Sequence, residues 1–175
     1  MTRIRIIIIC IIVLFSTSYS FAQGTIFTAA RNNDIELLRD LLSKNIEINS
    51  ADERGSSALI IASYNGNYEA TKLLLENGAD PNIQDRMGNT ALMGLCFKRD
   101  DQIAQLLLQY KTDVNLQNYN GATALIFAAT FGADSIIPML INKGADKTIK
   151  DKYNKTALDY AILQENEETI KLLAN

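Results

Sequence analysis

The chain has no histidine, no tryptophan, only two prolines and two cysteines, and a single long apolar run, Ile6–Phe15 (IIIICIIVLF). Each scarcity closes a class of function. Without histidine, the commonest general base and the commonest nitrogen ligand for zinc are both gone. Positive charge is also short: 17 Lys and Arg face 20 Asp and Glu, giving a formal net charge of −3 and a pI near 5.0. That balance lacks the basic excess needed to neutralise phosphates, so no nucleic-acid partner is expected. The apolar run is about half the ~20 residues that a permanent transmembrane helix requires.

What is present belongs to an ordinary globular protein. The 175 residues are 47% hydrophobic and 21% charged, enough to build a substantial core. Arg3 and Arg5 precede the apolar run, and small and polar residues follow it in Ser16–Ala22 (STSYSFA). Basic start, short apolar centre and a small-x-small end predict a cleavable secretory signal over 1–22, with Ser20 and Ala22 before the cut and Gln23 after it. An uncleaved anchor or a buried strand is the bland alternative. Cys10 lies inside the run and follows Ile9, so it does not fit a lipid-attachment site. Cleavage would remove two arginines and no acid, and would leave Cys96 as the one thiol, excluding an intramolecular disulfide.

The rest of the chain repeats itself. Gly55, Gly88 and Gly121 stand 33 residues apart, and the next step lands on Asn154. Three residues before each come Asp52, Asp85, Asn118 and Asp151; two residues after each come Ser57, Thr90, Thr123 and Thr156. Ala58, Ala91, Ala124 and Ala157 follow, then Leu59, Leu92, Leu125 and Leu158. Downstream, Leu74, Leu107, Leu140 and Leu173 align, as do Gly78, Lys111 and Gly144. One register held at so many positions marks a repeat architecture.

Each recurring residue has a physical task. Asp followed by Gly three positions on is turn chemistry, the carboxylate taking backbone amides while glycine adopts positive φ. Ser or Thr then caps the start of a first helix, such as 58–65, on which Leu59 and Ala62 share a face. Gly66 and Gly132 break the chain before a second helix, such as 68–77, which turns Ala70, Leu73 and Leu74 inward and stops at Gly78. Neither helix is long enough to be stable alone, so each unit must lean on its neighbours.

On these motifs the chain resembles an ankyrin-repeat protein. The family's Asp-x-x-Gly, Thr-Pro-Leu-His and Gly-Ala-Asp-x-Asn elements are recognisable from Asp52 to Asn82, Asp85 to Asn115, Asn118 to Lys147 and from Asp151 onward. The motif's proline is replaced by alanine throughout, and its histidine by Ile60, Met93, Ile126 and Asp159, which removes a pre-set turn and a polar link between fingers. The resemblance implies an all-α solenoid of about five helix-turn-helix units over 23–175: a cap at 23–51, then 52–84, 85–117, 118–150 and a closing 151–175. Pro138 falls early in a second helix, where it does least damage.

No catalytic, cofactor or metal site is read from the residues. The glycines follow the repeat and form no phosphate loop. Cys96 occupies the first-helix position of Ser63, Ala129 and Ile162 and reads as a small packed residue, with a reactive or intermolecular thiol as the other reading. Asp52/Glu53, Asp100/Asp101 and Glu167/Glu168 read as solvated carboxylates. The triplet Asn154–Thr156 formally fits glycosylation, but Thr156 is also the repeated helix-start residue.

The resemblance places a binding groove along the finger tips and the first helices. Carried over by position, the tips give Glu53 and Arg54, Arg86 and Met87, Tyr119 and Asn120, and Lys152 and Tyr153. The helix ends give Tyr64 and Asn65, Phe97 and Lys98, Thr130 and Phe131, and Gln164 and Glu165. Tyr and Arg are frequent interface anchors, and exposed Phe97, Phe131 and Met87 would suit a partner better than water. Alternatively Phe97 and Phe131 turn inward between repeats, the more so as Gly66 has Arg99 as its counterpart. The expected function is non-catalytic capture of a protein by an exported bacterial monomer, as inhibitor or immunity-like partner in the periplasm or outside the cell. An envelope scaffold or stress-protective factor is the second reading and an enzyme the third.

Overall fold

A computed structural model describes residues 26–174. The expected signal over 1–22 and its cleavage point lie outside the described residues. Within them the chain is helical: α1 (26–32), α2 (Ile35–Ser43), α3 (Ala58–Tyr64), α4 (Tyr68–Glu76), α5 (Ala91–Lys98), α6 (Asp101–Leu107), α7 (Ala124–Phe131), α8 (Ile136–Asn142), α9 (Ala157–Leu163) and α10 (Glu167–Ala174). Extended pairing among the described residues amounts to one isolated bridge, Ala51 with Ser57.

The odd-numbered helices are the first helices of each unit, and α3, α5, α7 and α9 pack in series into an inner layer. The second helices α2, α4, α6, α8 and α10 form an outer layer in the same way. Helices α2 to α10 are 7 to 9 residues long. Isolated helices below about 12–15 residues are marginal in water, so the stacking supplies the stability. The core runs along the whole stack: Leu59, Leu92 and Leu125 from the inner layer meet Leu74, Leu107 and Leu140 from the outer one, all buried. Cys96 is buried among them, and burial pushes its thiol well above its ordinary value, so it packs as a small apolar residue.

The turns behave as their residues require. Asp52 accepts the amides of Arg54 and Ser56 at 2.8 and 2.9 Å, while Gly55 takes φ 76°. Asp85, Asn118 and Asp151 repeat this arrangement. The next residues cap the inner helices, the hydroxyls of Ser57, Thr90, Thr123 and Thr156 accepting the amides of Ile60, Met93, Ile126 and Asp159. Where the outer helix lacks its terminal glycine, at Lys111, a substitute appears: the Thr112 hydroxyl donates to the Leu107 carbonyl at 2.8 Å. In the flanking units the amides of Ala79 and Ala145 do that work, bonding Leu74 and Leu140.

A second set of bonds ties unit to unit. Asn82 accepts the Asp113 amide at 2.7 Å and donates to the Lys111 carbonyl at 2.8 Å; Asn115 does the same with Asp146 and Gly144. Gln84 bridges Gly88 to Gln117, and Gln117 bridges Gly121 to Lys150. The motif's lost histidine is replaced differently from unit to unit. Met93 and Ile126 are buried fillers, whereas Asp159 closes a reciprocal capping box with Thr156.

Candidate functional site

The fingers between units project beside the inner helices, and a groove runs between them. Finger spacing is fixed by backbone: the Tyr119 amide donates to Met87 at 3.1 Å, and the Lys152 amide donates to Asn120 at 2.8 Å. The contact is tight enough to dictate composition. A Cβ on Gly88, already at φ 78°, would stand 2.7 Å from the Tyr119 nitrogen. Glycine there serves finger stacking as well as the turn.

The structure puts Tyr64, Phe97 and Phe131 in one row on the inner helices and leaves all three exposed. Phe97 is 45% accessible and Phe131 40%, so they do not turn inward to fill gaps between repeats. Tyr64 lies nearly parallel to Phe97 with centroids 6.4 Å apart, and Phe97 meets Phe131 edge-on at 4.8 Å. Half-buried Phe127 supports Phe131 from beneath at 5.8 Å. Lys98 places its ammonium 5.2 Å from the centre of the Tyr64 ring. Such mutual packing holds large side chains in place before a partner arrives, lowering the entropy lost on binding.

The finger tips form the opposite rim. Tyr119 is 74% exposed, and Met87, Tyr153, Arg54 and Arg86 are exposed beside it. Lys152 is partly committed: its ammonium reaches the Asn120 side chain at 2.7 Å and lies 5.0 Å from the Tyr153 ring centre. Three shallow concavities line the groove. One of about 360 Å³ lies among Arg31, Arg54, Ile60 and Tyr64; one of about 230 Å³ among Tyr64, Gly94, Phe97 and Phe127; one of about 180 Å³ among Asn120, Phe131, Tyr153 and Tyr160.

Some groove residues are not in the sequence-derived set. Stepping back one period from Tyr64 reaches Arg31, and stepping forward through Phe97 and Thr130 reaches Leu163, not Gln164. Arg31 lines the first concavity, and Leu163 and its neighbour Ile162 are exposed at the end of α9. Phe127 also belongs to the groove; one helical turn before Phe131, it was legible from spacing alone. Gln164 and Glu165 follow the last turn of α9, and Glu165 takes φ 54°.

Apart from Cys96 and Asp146, which Thr148 holds low, the shifted ionisations lie in the last unit. The Tyr160 hydroxyl donates to Asp151 at 2.5 Å, and this bond pushes its pKa up to about 12. Burial works against the charge on Asp151, yet the Tyr160 hydroxyl and the amides of Lys155 and Tyr153 together hold its carboxyl below the ordinary value. The Thr156 amide and hydroxyl lower Asp159. These bonds fasten a finger to its helix, and no His, Cys, Asp or Glu cluster of metal-binding geometry occurs among the described residues.

A family model described as ankyrin repeats (three copies) matches residues 26–118 and again 95–175. The chain belongs to the ankyrin-repeat family. Such repeats are in general protein-interaction modules, which supports a non-catalytic binding role for the chain. Comparison with curated proteins finds no match. No helix among the described residues is long and apolar enough to cross a membrane.

Proposed function

We propose that this chain is exported and, as a monomer in the periplasm or outside the cell, captures a partner protein in the finger-and-inner-helix groove, restraining that partner in the manner of an inhibitor or immunity protein. The carrying observation is the row Tyr64, Phe97, Phe131, packed ring to ring yet open to solvent. Exposed apolar area with its rotamers already fixed is costly against water and well suited to an interface core. Arg54, Arg86, Met87, Lys98, Tyr119, Asn120, Lys152 and Tyr153 would surround it as the mixed rim. The signal over 1–22 and the ankyrin domain over 23–175 are part of the same reading, supported by the Arg3/Arg5 start, the short apolar run and the Ser20/Ala22 end.

One experiment addresses both halves. Protein expressed from its full gene in its own cells is recovered from the envelope fraction, its first residue is sequenced, and its bound partner is identified. The expected start is Gln23. Arg86→Ala combined with Tyr119→Ala should leave the melting temperature little changed and weaken capture at least about tenfold, the scale of losing one interface anchor. Equal capture by wild type and double variant would reject the groove, and retention of Met1 in the cytosol would reject export.

A further inference from the structure

Resting on the groove as the binding face, we infer that its occupant is a peptide segment with a bulky apolar side chain next to a carboxylate. The apolar group enters the slot opened by Gly94, and the carboxylate meets Arg31 and Arg54.

Gly94 is the first observation. It sits in the interior of α5, where glycine weakens a helix relative to alanine. The register positions before and after it hold Ile61, Phe127 and Tyr160, so the repeat does not ask for glycine there. Neither does the backbone: a Cβ on Gly94 would meet only the edge of the Tyr64 ring, at 3.4 Å. Its consequence is an apolar slot of about 230 Å³ walled by Ile60, Tyr64, Phe97 and Phe127. That volume lies below the ~300–1,000 Å³ of small-molecule sites and suits one large side chain of a macromolecule.

Charge supplies the second. The adjoining concavity shares Ile60, Tyr64 and Asp85 with the slot and carries Arg31 and Arg54. Both guanidinium groups are exposed, and neither is in an ion pair or hydrogen bond with any described residue. Lys98 adds a third cation above Tyr64. The opposing acids are Asp52 and Asp85, each already holding two finger amides through Oδ1. Unpaired guanidinium forks present the geometry that binds a carboxylate bidentately. Since the whole chain is acidic, a densely anionic polymer would be repelled elsewhere, whereas a single acid beside an apolar anchor would be fixed in register.

The test pans a random peptide library against the protein produced from its full gene. Fluorescein-labelled enriched peptides are then titrated by anisotropy against four variants: Arg31→Glu with Arg54→Glu, Gly94→Leu, Gly94→Ala, and Arg86→Ala with Tyr119→Ala. Enriched peptides are expected to place Asp or Glu within a few residues of Leu, Ile or Phe. The double charge reversal and Gly94→Leu should each weaken binding by about tenfold or more, and added salt should weaken it further. Gly94→Ala should raise the melting temperature and keep most of the affinity. If Gly94→Leu proves poorly folded, the charge reversal on exposed residues still decides. Peptides without the acid-apolar pairing, indifferent to the Gly94 and Arg31/Arg54 variants but weakened by Arg86/Tyr119, overturn the slot and leave the groove standing. Indifference to all four variants overturns both, and a screen that enriches nothing counts against the slot.

Discussion

The loop layer and the groove sit on the same units and obey opposite rules. In the loops, Asn82 and Asn115 repeat the same residue at the same register and make the same two bonds to the following unit, while Asn49 accepts the Asp80 amide in the same fashion. In the groove, one register holds Arg31, Tyr64, Phe97, Thr130 and Leu163, five different side chains. Stacking demands the first kind of sameness, because each amide of a loop must find a partner on the next unit. It demands nothing of the second register, whose side chains are exposed in every unit but that of half-buried Thr130. Repetition therefore marks what holds this solenoid together, and variation within the period marks what is free to recognise a partner.

Removing a loop residue should give the largest effect on stability. Asn115→Ala takes away two inter-unit bonds, each worth about 0.5–1.5 kcal/mol, and should lower stability by about 1–3 kcal/mol while leaving capture by the folded protein intact. Chemical denaturation checks the first part and anisotropy the second; a loss of affinity without loss of stability would reverse the assignment of the two layers.

Arg99 sharpens the comparison because it varies yet bears on the fold. Asn33, Gly66, Arg99, Gly132 and Glu165 stand one period apart and all take positive φ. At φ 59° an arginine carries left-handed strain of about 1–2 kcal/mol that glycine does not, so Arg99→Gly should stabilise the chain by about 1 kcal/mol, glycine's greater freedom in the unfolded state offsetting part of the relief. A lower melting temperature would mean that the arginine side chain contributes more than its backbone costs.

The smallest effects are expected in the last unit and depend on pH. The folded carboxyls of Asp151 and Asp159 lie below their ordinary values, so their contribution is present above about pH 4 and is lost as pH falls. Tyr160 is shifted the other way; its contribution is full below about pH 10 and disappears as pH rises through about 12. Protection of the α9 and α10 amides, taken relative to the intrinsic exchange rate at each pH, should fall at both extremes before that of α5 and α7. A uniform fall in protection along the stack would show that the last unit is not fastened separately.

The period, the finger turns, the inner-helix caps and the order of helices were legible because each rests on local chemistry: an Asx turn, a hydroxyl cap, a glycine at positive φ. The Asn82 and Gln84 bridges were not, since an amide side chain in a loop has many possible partners and only the neighbouring unit decides which it meets. Asp159 departs from the motif's histidine and so from its polar link between fingers, yet it caps its own helix with Thr156. Arg31 and Leu163 were within reach, as the same count that found Tyr64 and Phe97 lands on both.

Sequence alone determined that this chain would stack, because helices of two turns with one apolar face have no stable state except against copies of themselves. Tertiary structure decided which side chains remained outside. Whether Phe97 and Phe131 filled gaps between repeats or faced solvent depended on how closely successive inner helices pack, and whether Gly94 was a flaw or a slot depended on the rings around it. Those distances arise from packing between units, and no single unit encodes them.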